Sequence, residues 1–256
     1  MMPNYKDLIS DLDIDYSSAF TKAWIAFNAW YRHHFANGTD RAIIDKIKEQ
    51  NNRFKTYMEN FLKEENSTDE AIDFRYNLKK LQTALVNAAI VTQERGGVRM
   101  QISFSEIAIK NLDPPINEDY RDTNYKIQRT GSKVVTTVSK KGDPSTIYFK
   151  YEQDTYDETG LGDHIEFQKL SELRQGQCRA FYKKICPYKT DNILTRDRNG
   201  NIVFLPDVDR VSRGIVEVLY LLRCSLIHGE VSPDNSSNEV YKYAYAILTA
   251  VLKKLM

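Results

Sequence analysis

Residues 218–230 read Val-Leu-Tyr-Leu-Leu-Arg-Cys-Ser-Leu-Ile-His-Gly-Glu, an apolar run that is interrupted by an arginine and a histidine. Apolar residues recur every three or four positions up to Gly229, which predicts a helix that buries one face and ends at this glycine. Charged and polar side chains are unusual in so apolar a segment, so the presence of Arg223 and His228 requires an explanation. They are therefore the first candidates for a functional site.

Arg223 and His228 are five residues apart, so an unbroken helix separates their side chains by about 140° around its axis. Two arrangements could bring them together. The helix ends at Gly229 and its last turn swings the imidazole around, or a two-fold dimer joins two Arg/His sets. A structural interpretation stands beside these, because a histidine at a helix end can bind free carbonyls and an arginine stem can cover apolar surface.

An arginine and a histidine together suit metal-independent cleavage of RNA. The histidine can accept the proton of a 2′-hydroxyl, which attacks the neighbouring phosphate, while the arginine stabilises the charge that builds there. The chain has only four histidines and three cysteines, and none of the cysteines forms a Cys-x-x-Cys pair. We therefore expect no metal site and no cofactor.

The rest of the sequence predicts long helices at both ends and a β element in the middle. Helical spacing of apolar residues runs from Phe20 to Tyr31, then over 43–61 as one helix and over 72–91 as another. Residues 133–139 and 146–151 are rich in β-branched and aromatic side chains and are joined by a turn, which predicts a β-hairpin. Helices are predicted again over 164–184 and over about the last fifty residues.

The segment 218–230 resembles the signature of the HEPN superfamily (higher eukaryotes and prokaryotes nucleotide-binding domain), an arginine followed by four to six residues and a histidine. The stretch Ala23-Trp-Ile-Ala-Phe-Asn-Ala-Trp-Tyr31 is similar to the first helix of uncharacterised bacterial HEPN-like proteins. The resemblance covers the two ends of the chain and leaves the middle third unmatched. It implies a mainly α fold, with residues 1–256 as a single HEPN-like helical bundle and a small β-hairpin insertion at about 98–160.

The resemblance also implies a function. Many HEPN proteins are metal-independent endoribonucleases that act as toxins or in phage defence. They are homodimers whose composite site takes Arg and His from both subunits, which by position are Arg223 and His228 here. For toxins of this kind a partner is expected as well, an antitoxin or another neighbouring-gene product, whose identity the sequence does not indicate.

The alternative within the same family is a catalytically inactive domain that binds nucleic acid or another protein. The chain has Cys224 where active members often have Asn, Asp or His directly after the arginine. It has Glu230 where toxins paired with nucleotidyltransferase antitoxins have a tyrosine. Cys224 and Glu230 are therefore supporting positions, and so is Asn28 in the aromatic stretch 24–31, which either makes a local core bond or reaches the Arg/His site.

The charge pattern adds a candidate RNA-binding surface. Between residues 121 and 150 there are seven Lys/Arg against two acids, which indicates either contact with a nucleic-acid backbone or a solvated hairpin. Tyr125, Tyr148 and Phe149 could stack on bases there. The candidate basic residues are Lys126, Arg129, Lys133, Lys140, Lys141 and Lys150.

Composition predicts where the protein is located and which class of partner it does not bind. There is no run of 18 or more apolar residues, and the first residues lack the apolar segment of a signal peptide, so we expect a cytoplasmic protein without membrane contact. The net charge of +1 excludes the global basic excess of many dedicated DNA-binding proteins.

Overall fold

The computed structural model describes residues 14–35, 38–93, 99–111, 113–231 and 234–256. The helices are α1 Tyr16–His34, α2 Asp40–Glu49, α3 Arg53–Leu62, α4 Asp69–Ala88, α5 Glu158–Asp163, α6 Ile165–Gln168, α7 Glu172–Lys184, α8 Val208–Ile227 and α9 Asn235–Lys253. The strands are β1 Val91–Gln93, β2 Arg99–Gln101, β3 Ile107–Lys110, β4 Ile116–Tyr120, β5 Thr123–Thr130, β6 Lys133–Lys140, β7 Asp143–Gln153, β8 Tyr188–Asp191, β9 Leu194–Arg196 and β10 Ile202–Phe204.

Contacts between Cα atoms divide the chain into two compact units. One consists of Met1–Ala108 together with Thr190–Met256, and the other is Ile109–Lys189. The first unit holds the long helices from both ends of the chain, and the second holds the largest sheet. The described residues also form three separate two-stranded pairs: β1 with β2, β3 with β8, and β9 with β10.

In the first unit, α9 packs against α1 and α4, while α8 packs against α2 and α3. The helices meet through large apolar side chains, because only a continuous apolar face can be removed from water in this way. The rings of Phe27 and Phe54, for example, stack with their centroids 4.3 Å apart. The largest fully buried side chains of this unit are Phe20, Phe27, Tyr31, Ile43, Ile44, Phe54, Phe74, Phe104 and Tyr241.

The long helices begin at polar residues whose side chains accept hydrogen bonds from the free N–H groups of the first turn. Such capping stabilises a helix start by about 1 kcal/mol. Asn52 is one of these residues, and it begins a new helix inside the stretch 43–61, so the prediction of one helix there is wrong. Ser171 likewise begins α7 inside the predicted helix 164–184. The other caps of the long helices are Asp15, Thr39, Thr68, Asp207 and Asp234.

The second unit is built on a four-stranded antiparallel sheet in the order β4-β5-β6-β7. Side chains alternate between its faces, so Tyr125, Val138 and Phe149 lie in one buried row across three strands. Together with Phe181 and Tyr182 of α7 they form a separate apolar core. One face of the sheet therefore packs on this core, and the opposite face is exposed and polar.

The predicted fold class, a mainly α, HEPN-like helical bundle with a small β-hairpin insertion, is wrong. The hairpin itself is confirmed, because β6 and β7 pair around the turn at 141–142. It belongs, however, to a four-stranded sheet with its own core, and the fold is a mixture of helices and sheet. The strands β4 and β5 were missed because their outward positions carry Asn, Asp, Gln and Lys, which lower the β-propensity of each segment.

Candidate functional site

Arg223 lies on α8 at the border of that helix's buried face. The apolar residues Ile215, Leu219 and Leu222 of α8 are buried, while the side chain of Arg223 is 23% exposed. Its Nη2 atom lies 3.3 Å from Oδ2 of Asp40, the first residue of α2. The side chain of Thr39 caps α2 and so fixes the position of Asp40. Two helices that are distant in sequence thus hold one ion pair.

The carboxylate of Asp40 also binds a second arginine. Arg32, in the last turn of α1, forms an ion pair with Asp40 Oδ1 and donates from Nη1 to the carbonyl of Gly38 at 2.9 Å. The side chain of Arg32 is 45% exposed. Two guanidinium groups therefore converge on a single carboxylate, one on each oxygen.

A line of hydrogen-bonding groups connects this carboxylate to Asn28. Asn28 donates from Nδ2 to the hydroxyl of Tyr31, and the same hydroxyl contacts Asp40. Burial and, to a smaller extent, the charge of Asp40 together raise the pKa of Tyr31 to about 12. The hydroxyl therefore stays protonated at neutral pH. Asn28 therefore makes a local bond, which was one of the two interpretations from the sequence, while its contact with an Arg/His site stays a prediction.

Asn28 and Arg223 line the same pocket, which has a volume of about 140 Å³. Its rim carries two large apolar side chains, Ile25 at 63% exposure and Ile227 at 57%. Two buried N–H groups of its lining, Trp24 Nε1 and Arg223 Nε, have no hydrogen-bond partner among the described residues. The remaining lining residue is Thr21.

His228 lies just past the end of α8, next to Gly229, where the sequence predicts that the helix ends. His228 is the C-cap residue, and Gly229 follows with φ +67. The N–H of Gly229 donates to the carbonyl of Leu226 at 3.2 Å, and the N–H of Glu230 donates to that of Ser225 at 2.9 Å. This pair of bonds is a Schellman motif, which explains the glycine by its left-handed conformation.

His228 is exposed, and it is not among the residues that line the Arg223 pocket. Its backbone angles, φ −86 and ψ 0, lie in the bridge region and not among helical values, so α8 ends at this residue. Of the two arrangements considered from the sequence, the helix end alone does not place Arg223 and His228 in one pocket. The two-fold dimer stays a prediction.

The supporting positions Cys224 and Glu230 have different surroundings. The Cys224 sulfur lies 4.0 Å from Nη1 of Arg223 and also contacts the hydroxyl of Tyr220. Burial, followed by this contact, raises the pKa of Tyr220 well above its usual range. Glu230 contributes its backbone N–H to the turn that ends α8.

The predicted basic residues of the second unit do not share one surface. Lys126 and Lys150 flank Thr137 in a row across the outer face of the sheet. Arg129 lies on the opposite face, where its Nη2 donates to the carbonyl of Asn111 at 2.8 Å.

The other three lysines lie at the two ends of β6, an inner strand of the sheet. Lys133 pairs with Glu152, and Lys141 lies 3.6 Å from Asp119. Lys140 is exposed at the end of β6. Because Asp143 lies opposite Lys140 as well, acidic neighbours offset three of the six predicted cations, and only Lys126 and Lys150 of the six form a row on the open face.

The predicted stacking of bases on aromatic residues is wrong for this surface. Tyr125 is 1% exposed and Phe149 is 3% exposed, so both rings belong to the core. The ring of Tyr148 lies under the guanidinium of Arg174, with 3.9 Å between Cζ and the ring centroid. Tyr125 and Phe149 follow the inward period of the strands, whereas Tyr148 lies at the irregularity in the β6–β7 pairing and packs, partly buried, against the same core.

Sequence reasoning did not find Asp40, Tyr31 or Arg32 as members of the site. Asp40 is 183 residues from Arg223, and next to Thr39 it is typical of a helix start. The spacing of Asn28 and Arg32, four residues apart on α1, was the one signal that could have placed Arg32 on the face of Asn28.

The described residues also bear on metal binding and on membrane insertion. In the part of the chain that the structure describes, no three His, Cys, Asp or Glu side chains are grouped as ligands of a metal ion. Over the same residues, no helix combines the length and the apolar character needed to cross a bilayer. Comparison of the chain with models of protein families, with curated proteins and with solved structures found no match.

Proposed function

We propose that this chain is a metal-independent endoribonuclease of the HEPN type, with a role as a toxin or in phage defence. The observation that carries the proposal is the setting of Arg223. Asp40 holds one edge of its guanidinium group, while the side chain stays 23% exposed and lines a pocket together with Asn28. An arginine held in this way is suited to bind an oxyanion without reorganising.

The reaction is an attack of the RNA 2′-hydroxyl on the adjacent phosphate. His228 accepts the proton of that hydroxyl, and the 2′-oxygen attacks phosphorus to form a 2′,3′-cyclic phosphate. The bond from phosphorus to the 5′-oxygen breaks, and the leaving oxygen takes a proton from water to become a 5′-hydroxyl. Arg223 binds the non-bridging oxygens as their negative charge increases.

The proposal includes a homodimer in which His228 of one subunit faces Arg223 of its partner. Two observations support it. His228 lies outside the Arg223 pocket of its own chain, and the exposed Ile25 and Ile227 at the rim offer apolar surface for a second subunit. A cytoplasmic location and an antitoxin or other neighbouring-gene partner belong to the same proposal, because an active RNase must meet RNA and be held in check.

The test is RNA cleavage by the purified chain in the presence of EDTA, with the product ends identified by mass spectrometry. We expect 2′,3′-cyclic phosphates, and we expect His228→Ala to cleave on the order of 10²–10⁴-fold more slowly. His33→Ala is the matched control, because His33 is an exposed histidine of α1 that lies outside the pocket. Equal rates for the parent and His228→Ala, or no cleavage by the parent, would contradict the proposal.

A second function is favoured by one observation, the row of Lys126 and Lys150 on the open face of the sheet. Such a row suits a nucleic-acid backbone, so the chain would bind RNA without cleaving it. This outcome is recognised when the parent binds RNA in a salt-dependent manner but leaves it intact. Lys126→Gln and Lys150→Gln should then each reduce the salt slope of binding by about 1.

A further inference from the structure

The convergence of Arg32 and Arg223 on Asp40 has a consequence for substrate binding. Each carboxylate oxygen of Asp40 takes one guanidinium group, so two positive charges are balanced by one negative charge. The nearby hydroxyl of Tyr31 is neutral and adds no further anion. The cluster therefore keeps a net positive charge at a partly exposed place, beside the pocket of Arg223.

We propose that Arg32 and Arg223 form a two-arginine site for one RNA phosphodiester, and that Asp40 is the positioning residue that holds both guanidinium groups towards it. This inference rests on the proposed RNase function, and it adds Arg32 and Asp40 to that function. The ligand is a phosphate group of the RNA backbone, which offers two non-bridging oxygens to the two cations.

The geometry of the two side chains supports this role. Arg32 uses Nη2 for Asp40 and Nη1 for the carbonyl of Gly38, which fixes the plane of its guanidinium group. Arg223 uses Nη2 for Asp40, while among the described residues the acceptor for Nη1 is the Cys224 sulfur at 4.0 Å. A sulfur at this distance is a weak acceptor, so Nη1 can bind a phosphate oxygen without losing a strong hydrogen bond.

Asp40 has two opposed effects on such a site. Its negative charge weakens the attraction between the arginines and a phosphate. Its hydrogen bonds also hold flexible side chains in one orientation, and small misplacements of a catalytic group are costly for the reaction. Removal of the charge with retention of the shape should therefore slow the reaction without weakening the binding of RNA.

The role of Arg32 is tested by binding of an RNA oligonucleotide with 2′-O-methyl groups throughout, which cannot undergo the attack by the 2′-oxygen. Arg32→Gln should weaken binding by up to about tenfold and reduce the slope of log K against log salt by about 1. Arg53→Gln is the matched control, because Arg53 is an exposed arginine of α3 that bonds only the hydroxyl of Tyr57 among the described residues. Equal losses in the two variants would overturn the two-arginine site.

The role of Asp40 is tested with Asp40→Asn, measuring kcat on cleavable RNA and Kd on the methylated oligonucleotide. We expect kcat to fall on the order of 10²-fold while Kd stays equal or decreases. Asp209→Asn is the matched control, since Asp209 also lies in the first turn of a helix and bridges two cations, Lys55 and Arg213. A purely structural Asp40 would instead weaken binding and lower the thermal midpoint to the same extent as the control.

The outcomes distinguish this inference from the proposed function. If the parent cleaves RNA and Asp40→Asn cleaves equally fast, the positioning role is overturned and the RNase proposal stands. If the parent binds the methylated RNA through Arg32 but cleaves nothing, the phosphate site stands and the RNase proposal falls. If the parent does not bind the oligonucleotide at all, the two-arginine site is overturned as well.

Discussion

Two charged clusters join α8 to α2, and they differ in how far they are closed to water. In the first, Glu217 of α8 accepts hydrogen bonds from Arg41 Nη1 and Lys48 Nζ, each at 2.6 Å. In the second, Arg223 of α8 lies 3.3 Å from Asp40. The side chain of Glu217 is 1% exposed and that of Arg223 is 23% exposed. The same two helices thus carry one enclosed cluster and one open cluster.

The difference separates a structural role from a candidate functional role. Glu217 meets two cations that are themselves enclosed, with Lys48 at 2% exposure, so this cluster has no room for a ligand. Arg223 keeps a partly exposed side chain beside a pocket. An enclosed cluster is costly to break and is closed to a ligand, whereas a partly exposed side chain can reach a substrate.

The largest effect on stability is expected from Glu217→Gln. Loss of the carboxylate leaves the two enclosed cations Lys48 and Arg41 to share the carboxylate of Asp45, which should lower the free energy of unfolding by about 3 kcal/mol. The measurement is urea unfolding followed by tryptophan fluorescence. Both tryptophans of the chain, Trp24 and Trp30, lie on α1, so the signal follows the first unit.

The matched variant is Arg223→Gln in the open cluster, for which we expect a loss of about 1 kcal/mol or less, because a partly exposed ion pair contributes little. Equal losses in the two variants would mean that the clusters do not differ in role. Arg223 would then be a structural residue, and the proposed site would lose its principal member.

The elements of the first unit were largely predictable, because helical periodicity and capping residues are local signals. The spacing of Phe20, Trp24, Phe27 and Tyr31 predicted the buried face of α1, which the structure confirms. Thr39, whose residue type is typical of a helix start, caps α2. The break at Asn52 was not predicted, because an asparagine inside an apolar pattern is compatible with an exposed helix position as well as with a cap.

The sheet was predictable only in part. Strands β6 and β7 contain runs such as Val-Val-Thr-Thr-Val, whereas β4 reads Ile-Asn-Glu-Asp-Tyr. Pairing with a neighbour stabilises β4 more than its own residues do, and this contribution is not local. The same limit applies to the site. Arg223 was found from a short motif, but its partner Asp40 lies 183 residues away, and only the packing of α8 on α2 brings the two together.

A smaller effect is expected from alkaline pH acting on Tyr31, the neutral member of the open cluster. Its pKa is raised from 10.0 to about 12 by burial and by Asp40, so the folded state resists loss of the proton. The resulting stability is complete below pH 10 and is lost as the pH rises towards 12. At pH 11 the parent should have lost about 1.4 kcal/mol through this residue.

Tyr31→Phe removes this dependence, although at pH 7 it also loses the hydrogen bond from Asn28, which is worth about 1 kcal/mol. In fluorescence-monitored urea unfolding, the parent should therefore be the more stable protein at pH 7 and lose that advantage by pH 11. If the free energy of unfolding depended on pH in the same way in both proteins, Tyr31 would not be held protonated by the cluster.

The smallest effect concerns the turn that ends α8 next to the open cluster. Gly229 has φ +67, a conformation that costs an L-residue about 1 kcal/mol, and a Cβ atom added there would meet no atom within 4 Å. Gly229→Ala should therefore lower the free energy of unfolding by about 1 kcal/mol through the backbone alone. Gly229→Asn is the matched variant and should lose less free energy of unfolding, because asparagine tolerates the left-handed conformation.

If the alanine and asparagine variants lose the same free energy of unfolding, or if the alanine variant loses none, then the chain does not need this conformation at residue 229. The helix would then continue past His228, and the histidine would lie on the side of a helix rather than at its exposed end.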